Sequence, residues 1–225
     1  MDIHLLKKVP IFSNLDDNEL TKIRKLCVIQ HYEKDRLILV EEDIGKTLFL
    51  IQKGRFKVSR MSDDGREVIL AIQGPGGFFG ELSLIDGKTR SASVTAIEDS
   101  EALLLHRAEF LALLEDYPQI AVSLLKELAG RIRKSDTQIK SLSLQDAMGR
   151  VASTLIMLAE DSGRIRHGQV IIQKIPLQQD MANMAGTSRE TISRVFRYLE
   201  DEKLIHRDGR KIIIPDYARF KKMFG

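Results

Sequence analysis

A run of residues at heptad spacing between positions 121 and 142 limits the folds open to this chain most strongly. Six apolar residues and one serine follow one another at alternating intervals of four and three: Ala121, Leu125, Leu128, Ile132, Ser135, Ile139 and Leu142. This alternation is typical of the contact stripe of a two-stranded coiled coil. A helix from Pro118 to about Gln145 spans about 40 Å, which is too long for one small domain to cover. The pattern predicts homodimerisation; the alternative is a helix packed on its own domain.

The segment before this helix has a different period. After a helical pattern between Pro10 and Cys27, short apolar or alternating runs recur between Leu37 and Leu105, separated by Gly and Asp. The runs are Leu37–Val40, Leu48–Ile51, Phe56–Val58, Val68–Ile72, Ser93–Ala96 and Ala102–Leu105. Such short strands, parted by turn residues, predict an antiparallel roll or barrel. Asp64-Gly65 is placed to form a hairpin turn.

The segment after the helix reads as a compact, mostly helical domain. The pattern predicts helices at 151–159, 177–185 and 188–201, a strand at 170–172 and a hairpin around Asp208-Gly209. From Asp146 onward there are 14 Lys and Arg against 10 Asp and Glu, so the positive charge of the chain concentrates here. A chain of 225 residues is long enough for two domains. The charge excess favours a polyanionic partner.

Two of these helices are joined by a glycine turn. The first is predicted to bury Leu177, Met181, Met184 and Ala185, and the second Ile192, Val195, Phe196 and Leu199. Gly186 permits the tight turn between them. This is the pattern of a helix-turn-helix, whose second helix enters the DNA major groove with its N-terminal end.

The second helix carries charges at the end that would meet DNA. Arg189 lies at its tip, and Glu190, Arg194 and Arg197 follow on the face opposite the apolar one. Arginine reads guanine with paired donors, and glutamate accepts from the cytosine amino group. Two alternatives stay open: Thr187 and Glu190 form a capping box, and Arg194 and Arg197 lie on a solvated face.

A glycine, an acid and an arginine stand close together in the segment 77–92. Backbone N–H groups beside Gly80 are expected to bind an anion, and the guanidinium of Arg90 offers paired donors that match a phosphate. Glu81 would repel a phosphate, so it suits a ribose hydroxyl. The set predicts a sugar-phosphate monoanion as ligand; the alternative is a β-turn beside a surface ion pair.

Several function classes are disfavoured. Cys27 is the single cysteine, so no intrachain disulfide or cysteine-ligated cluster is expected. The alternative of a jelly-roll metalloenzyme needs clustered histidines, and the five here contain no His-x-His pair: His4, His31, His106, His167 and His206. We therefore expect neither a metal site nor catalytic residues. The sequence also predicts a cytoplasmic protein without membrane contact, since no signal segment or long apolar run is present.

Two segments of the chain resemble parts of a known protein family. The segment 77–92 resembles the phosphate-binding cassette of cyclic-nucleotide-binding domains, and the segment 188–194 resembles the recognition helix of the CRP/FNR family of transcription regulators, closest to its cyclic AMP receptor branch. The resemblance implies an α+β fold with three parts: a β-roll (jelly-roll) of the cyclic-nucleotide-binding type at 1–117, a dimerisation helix at 118–145 and a winged helix-turn-helix DNA-binding domain at 146–225.

The family likeness also implies roles for individual residues. The effector-binding residues it implies are Gly80, Glu81, Leu82, Arg90, Ser91, Ala92, Ser135 and Asp136. Ser135 is placed to contact the adenine amino group, and it is the polar member of the heptad stripe. The implied base readers are Arg189, Glu190 and Arg194, and the implied phosphate or further DNA contacts are Gln178, Gln179, Ser188 and Arg197.

The implied function is that of a homodimeric DNA-binding regulator switched by cAMP bound between the roll and the long helix. Cyclic di-GMP, or no small-molecule effector, is the alternative. The expected partners are a palindromic operator in double-stranded DNA and RNA polymerase, the latter through a loop at 161–168. Three positions depart from the family pattern: Asp136 in place of a serine, Glu42 in place of a glycine and Gln178 in place of an arginine.

Overall fold

A computed structural model describes residues 4–225, with the side chain of His4 left aside. The chain forms two compact units that divide within the long helix, between Arg133 and Lys134. Within the described residues, no helix is both long and apolar enough to cross a membrane.

The first unit combines a roll of short strands with helices at both of its chain ends. The helices are α1 (His4–Lys7), a 3-10 turn (Pro10–Phe12), α2 (Asp17–Leu26), α3 (Leu82–Asp86), α4 (Arg107–Asp116) and the beginning of α5 (Pro118–Leu144). A capping box starts α2: the Asp16 carboxylate accepts from the Glu19 N–H, and the Glu19 carboxylate accepts from the Asp16 N–H. Leu20 and Ile23 are buried on the inner face of this helix, while Leu26, its last residue, is exposed.

Eight strands form two antiparallel four-stranded sheets in the described part of the first unit. They are β1 (Val28–Tyr32), β2 (Leu37–Leu39), β3 (Thr47–Lys53), β4 (Phe56–Met61), β5 (Glu67–Gln73), β6 (Phe78–Phe79), β7 (Ser93–Ala96) and β8 (Ser100–His106). Their orders are β1-β8-β3-β6 and β2-β7-β4-β5. The β4–β5 hairpin turns at Asp64-Gly65 as predicted, with Gly65 at a φ of 80°. The roll is thus confirmed.

The central strand β3 is buried on both faces, which explains its unbroken apolar run. Leu48 and Leu50 pack toward the helices. Phe49 and Ile51 pack toward the second sheet, where the Phe49 ring stacks on Phe79 at 4.8 Å. Phe78 belongs to the helix-side core and its neighbour Phe79 to the inter-sheet core. These two phenylalanines therefore anchor the chain on both sides of the sheet just before Gly80.

The long helix α5 has two different faces. Ile120 and Leu124 are buried in the helix-side core of the first unit, and Leu128 packs against it. Leu125, Ile132 and Ile139 are 65%, 61% and 61% exposed. The helix therefore does pack on its own domain, but mainly through residues beside the heptad stripe, and most of the stripe stays open.

The second unit holds the end of α5 and a small helical domain with a sheet. Its further elements are α6 (Ala147–Ser162), β9 (Arg164–Arg166), β10 (Gln169–Ile172), α7 (Gln178–Ala185), α8 (Arg189–Asp201), β11 (His206–Asp208), β12 (Lys211–Ile214) and α9 (Tyr217–Phe224). The described strands form one antiparallel sheet in the order β11-β12-β10-β9. Neither β9 nor α9 was predicted, and β11–β12 is the expected hairpin at Asp208-Gly209.

Candidate functional site

The turn after β6 brings Gly80, Glu81 and Arg90 together. Gly80 has a φ of 86°, and a Cβ there would lie 2.7 Å from Nη1 of Arg90 and 3.0 Å from the Thr47 carbonyl oxygen. Only glycine fits this conformation and this close approach. Glu81 is the N-cap residue of the short helix α3, which ends at Gly87 in the left-handed region. The predicted glycine-centred turn is therefore present.

Arg90 is only 5% exposed, and the protein holds its guanidinium in place. Nη1 donates to the Gly80 carbonyl at 2.6 Å and to the Ser83 hydroxyl at 2.9 Å, and Nη2 donates to the Thr47 carbonyl at 2.8 Å. Burial lowers the pKa of Arg90, and the nearby Glu81 carboxylate partly offsets this effect. An arginine keeps its charge under such a shift. The site thus contains a buried, oriented cation.

Glu81 is 2% exposed and makes an ion pair with Arg131 of α5, with Oε1 at 2.7 Å from Nη1. Its other oxygen, Oε2, is buried without a hydrogen-bond partner in the described part of the chain. Burial raises the pKa of Glu81, and the attraction of Arg131 and Arg90 only partly counters it. A buried acceptor left open is a place where a ligand donor gains binding energy. The alternative of a surface ion pair is therefore wrong.

Sequence reasoning missed Arg131. Its Nη2 donates to the Phe78 carbonyl at 2.8 Å, and its guanidinium lies 4.5 Å from the Phe78 ring centre. The sequence did contain a signal for its burial. Arg131 follows Leu124 and Leu128 at helical spacing, on the face of α5 that packs against the first unit. A charged residue on such a stripe needs a partner inside the fold.

The other predicted effector residues have different surroundings. Leu82 and Ser91 are exposed, and Ala92 is buried. Ser135 and Asp136 belong to the second unit, where both are exposed side chains on α5. Their role in effector binding stays a prediction. Among the described side chains, no group of three or more His, Cys, Asp or Glu is placed to hold a metal ion.

The second unit contains the predicted helix-turn-helix. Helix α7 ends at Gly186, whose φ is 58°, and α8 follows three residues later. The inner face of α8 buries Ile192, Val195, Phe196 and Leu199. Its outer face exposes Arg189, Glu190, Arg194 and Arg197. The outer face of the helix therefore presents charges of both signs to solvent.

Two details of this motif correct the sequence analysis. Leu177 was expected in the core but is 58% exposed, because it precedes α7 as its N-cap residue. The capping box of Thr187 and Glu190 is wrong as well: Ser188 is the N-cap residue of α8, and its Oγ accepts from the Thr191 N–H at 3.2 Å. Hydrogen bonds from its own backbone N–H and from Ser188 lower the pKa of Glu190.

Side chains from outside the motif fix its turn and its far end. Arg150 of α6 donates to the carbonyls of Ala185 and Gly186 at 3.0 and 3.3 Å, which satisfies the C-terminal end of α7. At the other end, Arg207 of β11 donates to the Glu200 carboxylate at 2.8 Å, and this contact lowers the pKa of Glu200. The acidic end of α8 is thus held by the hairpin, away from the basic tip.

Comparison with known proteins matches both halves of the chain. Residues 29–117 match the cyclic nucleotide-binding domain family, and residues 149–223 match the Crp-like helix-turn-helix domain family. The chain is 36% identical over 200 residues to the cyclic AMP receptor protein of Thermus thermophilus, which covers 89% of each chain. The chain belongs to the CRP/FNR family of transcription regulators.

Solved structures agree with this membership. The catabolite activator protein of Thermus thermophilus is 33% identical, with a TM-score of 0.55 over 95% of this chain and 97% of that one. The c-di-GMP responsive global regulator CLP of Xanthomonas campestris is 22% identical, with a TM-score of 0.72 over 88% of this chain and 99% of that one, and it shows the shared fold alone. The expected α+β architecture of roll, long helix and helix-turn-helix is confirmed.

The departure from the family pattern at Glu42 and the burial of the single cysteine, Cys27, both have local explanations. Glu42 has a φ of 70°, so the loop keeps the left-handed conformation that a glycine would adopt. Its N–H donates to the Arg90 carbonyl at 2.9 Å, which ties the loop to the cassette. Burial raises the pKa of the Cys27 thiol to about 11, so this cysteine is a core residue rather than a reactive one.

Proposed function

We propose that this CRP/FNR regulator works as a homodimer that binds palindromic DNA when cAMP occupies the cassette. The observation that carries the proposal is the pairing of an oriented cation, Arg90, with an open acceptor, Oε2 of Glu81. Arg90 suits the cyclic phosphate, and Oε2 suits the ribose 2′-hydroxyl. A neutral or purely cationic ligand would use only one of the two groups.

The arrangement further supports roles for the neighbouring cassette residues. The backbone after Gly80, including Leu82, and the segment at Ser91 and Ala92 would border the phosphate and ribose. Ser135 and Asp136 would meet the base, with the Ser135 hydroxyl on the adenine amino group and the Asp136 carboxylate as a second acceptor. The alternative effector is cyclic di-GMP, which one structural neighbour is named for.

The open stripe on α5 supports the homodimer. Leu125, Ile132 and Ile139 recur every seven residues and leave apolar surface exposed. Burying it against a second copy would remove that surface from water. Two recognition helices about 34 Å apart would then fit successive major grooves of a palindromic operator.

In this proposal the recognition helix supplies sequence preference. Arg189, Glu190 and Arg194 would read base edges, while Gln178, Gln179, Ser188 and Arg197 would contact the DNA backbone or its surroundings. The effector would act by population shift, because it favours the arrangement of the two helices that matches the operator. RNA polymerase is the expected protein partner, through residues 161–168, and a regulator of chromosomal DNA would act in the cytoplasm.

The decisive experiment compares operator binding with and without cAMP for Arg90→Ala and Ser135→Ala. Fluorescence anisotropy should show that the native chain binds more tightly with cAMP, and that both variants lose most of this gain. Met61→Ala, at an exposed position on β4, is the control and should respond fully. Full responses in both Arg90→Ala and Ser135→Ala would reject the site.

Two further measurements separate the finer parts of the proposal. Calorimetry with cAMP, cGMP and cyclic di-GMP would identify the effector, and tight binding of cyclic di-GMP alone would replace cAMP as the proposed effector.

Analytical ultracentrifugation of Ile132→Glu should show monomers where the native chain shows dimers, because a carboxylate would be buried in the paired stripe. A native chain that sediments as a monomer at micromolar concentration would contradict the dimer.

A further inference from the structure

Ser83 lies beside the guanidinium of Arg90, inside the first turn of α3. It is only 3% exposed, and its Oγ accepts from Nη1 of Arg90 at 2.9 Å. The other two described acceptors of this guanidinium are backbone carbonyls, of Gly80 and Thr47. Among these contacts, Ser83 is therefore the one whose removal leaves the backbone unchanged.

Gly45 lies close to this contact and leaves no room there for a side chain of its own. A Cβ on Gly45 would lie 2.3 Å from Oγ of Ser83 and 2.4 Å from Nε of Arg90. Any side chain at residue 45 would therefore collide with both groups. The Ser83 hydroxyl also stands 3.5 Å from the Gly80 carbonyl oxygen, so it accepts from Arg90 while its own proton faces that carbonyl.

Backbone contacts hold Arg90 at its Cα, and backbone carbonyls of Gly80 and Thr47 accept from its two Nη atoms. Its N–H donates to the Asp43 carbonyl at 2.8 Å, and its carbonyl accepts from the Glu42 N–H. Ser83 supplies the one described side-chain acceptor, at Nη1 beside the Gly80 carbonyl. The three contacts together fix the plane of the guanidinium, and a planar guanidinium binds phosphate well only in the correct plane.

We propose that Ser83 is a positioning residue that sets the guanidinium plane of Arg90 for an anionic effector. The proposal rests on the proposed function, since it assumes that Arg90 binds the phosphate of a cyclic nucleotide. Ser83 touches the arginine and not the ligand. It strengthens binding because an arginine held in its bound geometry loses less conformational freedom when the ligand arrives.

The test uses an effector with a phosphate and one without it. In Ser83→Ala, calorimetry should show the Kd for cAMP rising up to about tenfold, the upper end of the cost of immobilising one long side chain on binding. The Kd for adenosine should not change, because adenosine carries no phosphate. Ser100→Ala is the matched control: Ser100 is a similarly buried serine of the same unit whose Oγ donates to a carbonyl, that of Glu98. It should leave both values unchanged.

A double-mutant cycle shows whether Ser83 acts through Arg90. In an Arg90→Ala background, Ser83→Ala should weaken cAMP binding no further. An equal loss in both backgrounds, or an equal loss for cAMP and adenosine, would overturn the positioning role. Thermal unfolding of Ser83→Ala should remain one cooperative transition well above the temperature of the binding assay, which excludes a general loss of structure as the cause.

The outcomes also distinguish this inference from the proposed function. If Arg90→Ala loses cAMP affinity while Ser83→Ala keeps it, only the positioning role fails. If Arg90→Ala binds cAMP as tightly as the native chain, or the native chain binds no cAMP, the effector site itself is rejected and the role of Ser83 with it.

Discussion

The cassette and the recognition helix treat their charged residues in opposite ways. In the cassette, Glu81 and Arg90 are 2% and 5% exposed, and each is bound by other parts of the protein. On the recognition helix, Arg189 and Arg194 are exposed, and the helix is held by its apolar face and by contacts at its two ends.

The two regions lose the hydration of their charges at different steps. The cassette loses it during folding, so its charges are already oriented and their removal affects both stability and effector binding. The recognition helix keeps its hydration until DNA arrives, so its charges should affect DNA binding and not the fold. Each prediction below tests one side of this contrast.

The largest effect is expected for Arg131→Ala, which leaves the buried Glu81 carboxylate without its ion-pair partner. We expect the free energy of unfolding at pH 7 to fall by about 3 kcal/mol, the range for breaking a buried pair from one side. Lys126→Ala, at an exposed cation of the same helix, is the control and should change it by less than about 0.5 kcal/mol.

The pH dependence of Arg131→Ala gives a second readout. Burial already raises the pKa of Glu81 above its ordinary 4.5, so the folded state binds the proton more tightly than the unfolded state. The stability linked to this group is therefore greatest below pH 4.5 and falls as the pH rises through the folded pKa. Without Arg131 that pKa rises further, so the stability gap to the native chain should widen from pH 5 to pH 8. A gap that does not change with pH would contradict this account of Glu81.

Gly45→Ala comes next, because it crowds the two buried partners of the cassette. The added Cβ would fall within 2.4 Å of Arg90 and Ser83 atoms. We expect a loss of about 2 kcal/mol in the free energy of unfolding, together with weaker cAMP binding in calorimetry. Gly130→Ala is a contrasting control, since no atom lies within 4 Å of the new Cβ and alanine favours helix α5 by up to about 1 kcal/mol. An equal change in the free energy of unfolding for Gly45→Ala and Gly130→Ala would show that the Cβ at residue 45 does not crowd Arg90 and Ser83.

Arg189→Ala tests the other side of the contrast. Affinity for the operator should fall about tenfold, near the lower end for the loss of one bidentate base contact, and discrimination against a scrambled site should weaken. The free energy of unfolding should change by less than about 0.5 kcal/mol, because the side chain is exposed. Unchanged discrimination in anisotropy titrations would remove Arg189 from the base readers.

The sequence predicted what depends on local pattern and missed what depends on distant contacts. The long helix ends at Leu144, one residue from its expected end, and the turn at Gly186 was anticipated because glycine and helical spacing are visible locally. Arg131 was missed because its partner, Glu81, lies 50 residues earlier in the chain. No periodicity reports that a given carboxylate will be buried, so the choice between a buried and a surface ion pair needed the fold.

Short elements and helix ends were the other source of error. Strand β6 has two residues and helix α3 has five, too few for either period to be recognised. At the start of α8, Thr187 and Ser188 are both good capping residues, and the apolar face fits either start. Only the backbone conformation of Ser188 and its contact with Thr191 decide between them.

The smallest effect is expected at Ser188, where the two sides of the contrast meet in one residue. Ser188→Ala removes the cap of α8 and should lower the free energy of unfolding by about 1 kcal/mol. Ser188→Asp keeps a cap and places a negative charge at the helix N-terminus, so thermal unfolding should match the native chain. Its carboxylate would nevertheless repel a DNA phosphate, so anisotropy should show operator affinity about tenfold weaker. Stability and DNA binding would then change independently; native affinity in Ser188→Asp would mean that the tip of α8 does not approach the phosphates.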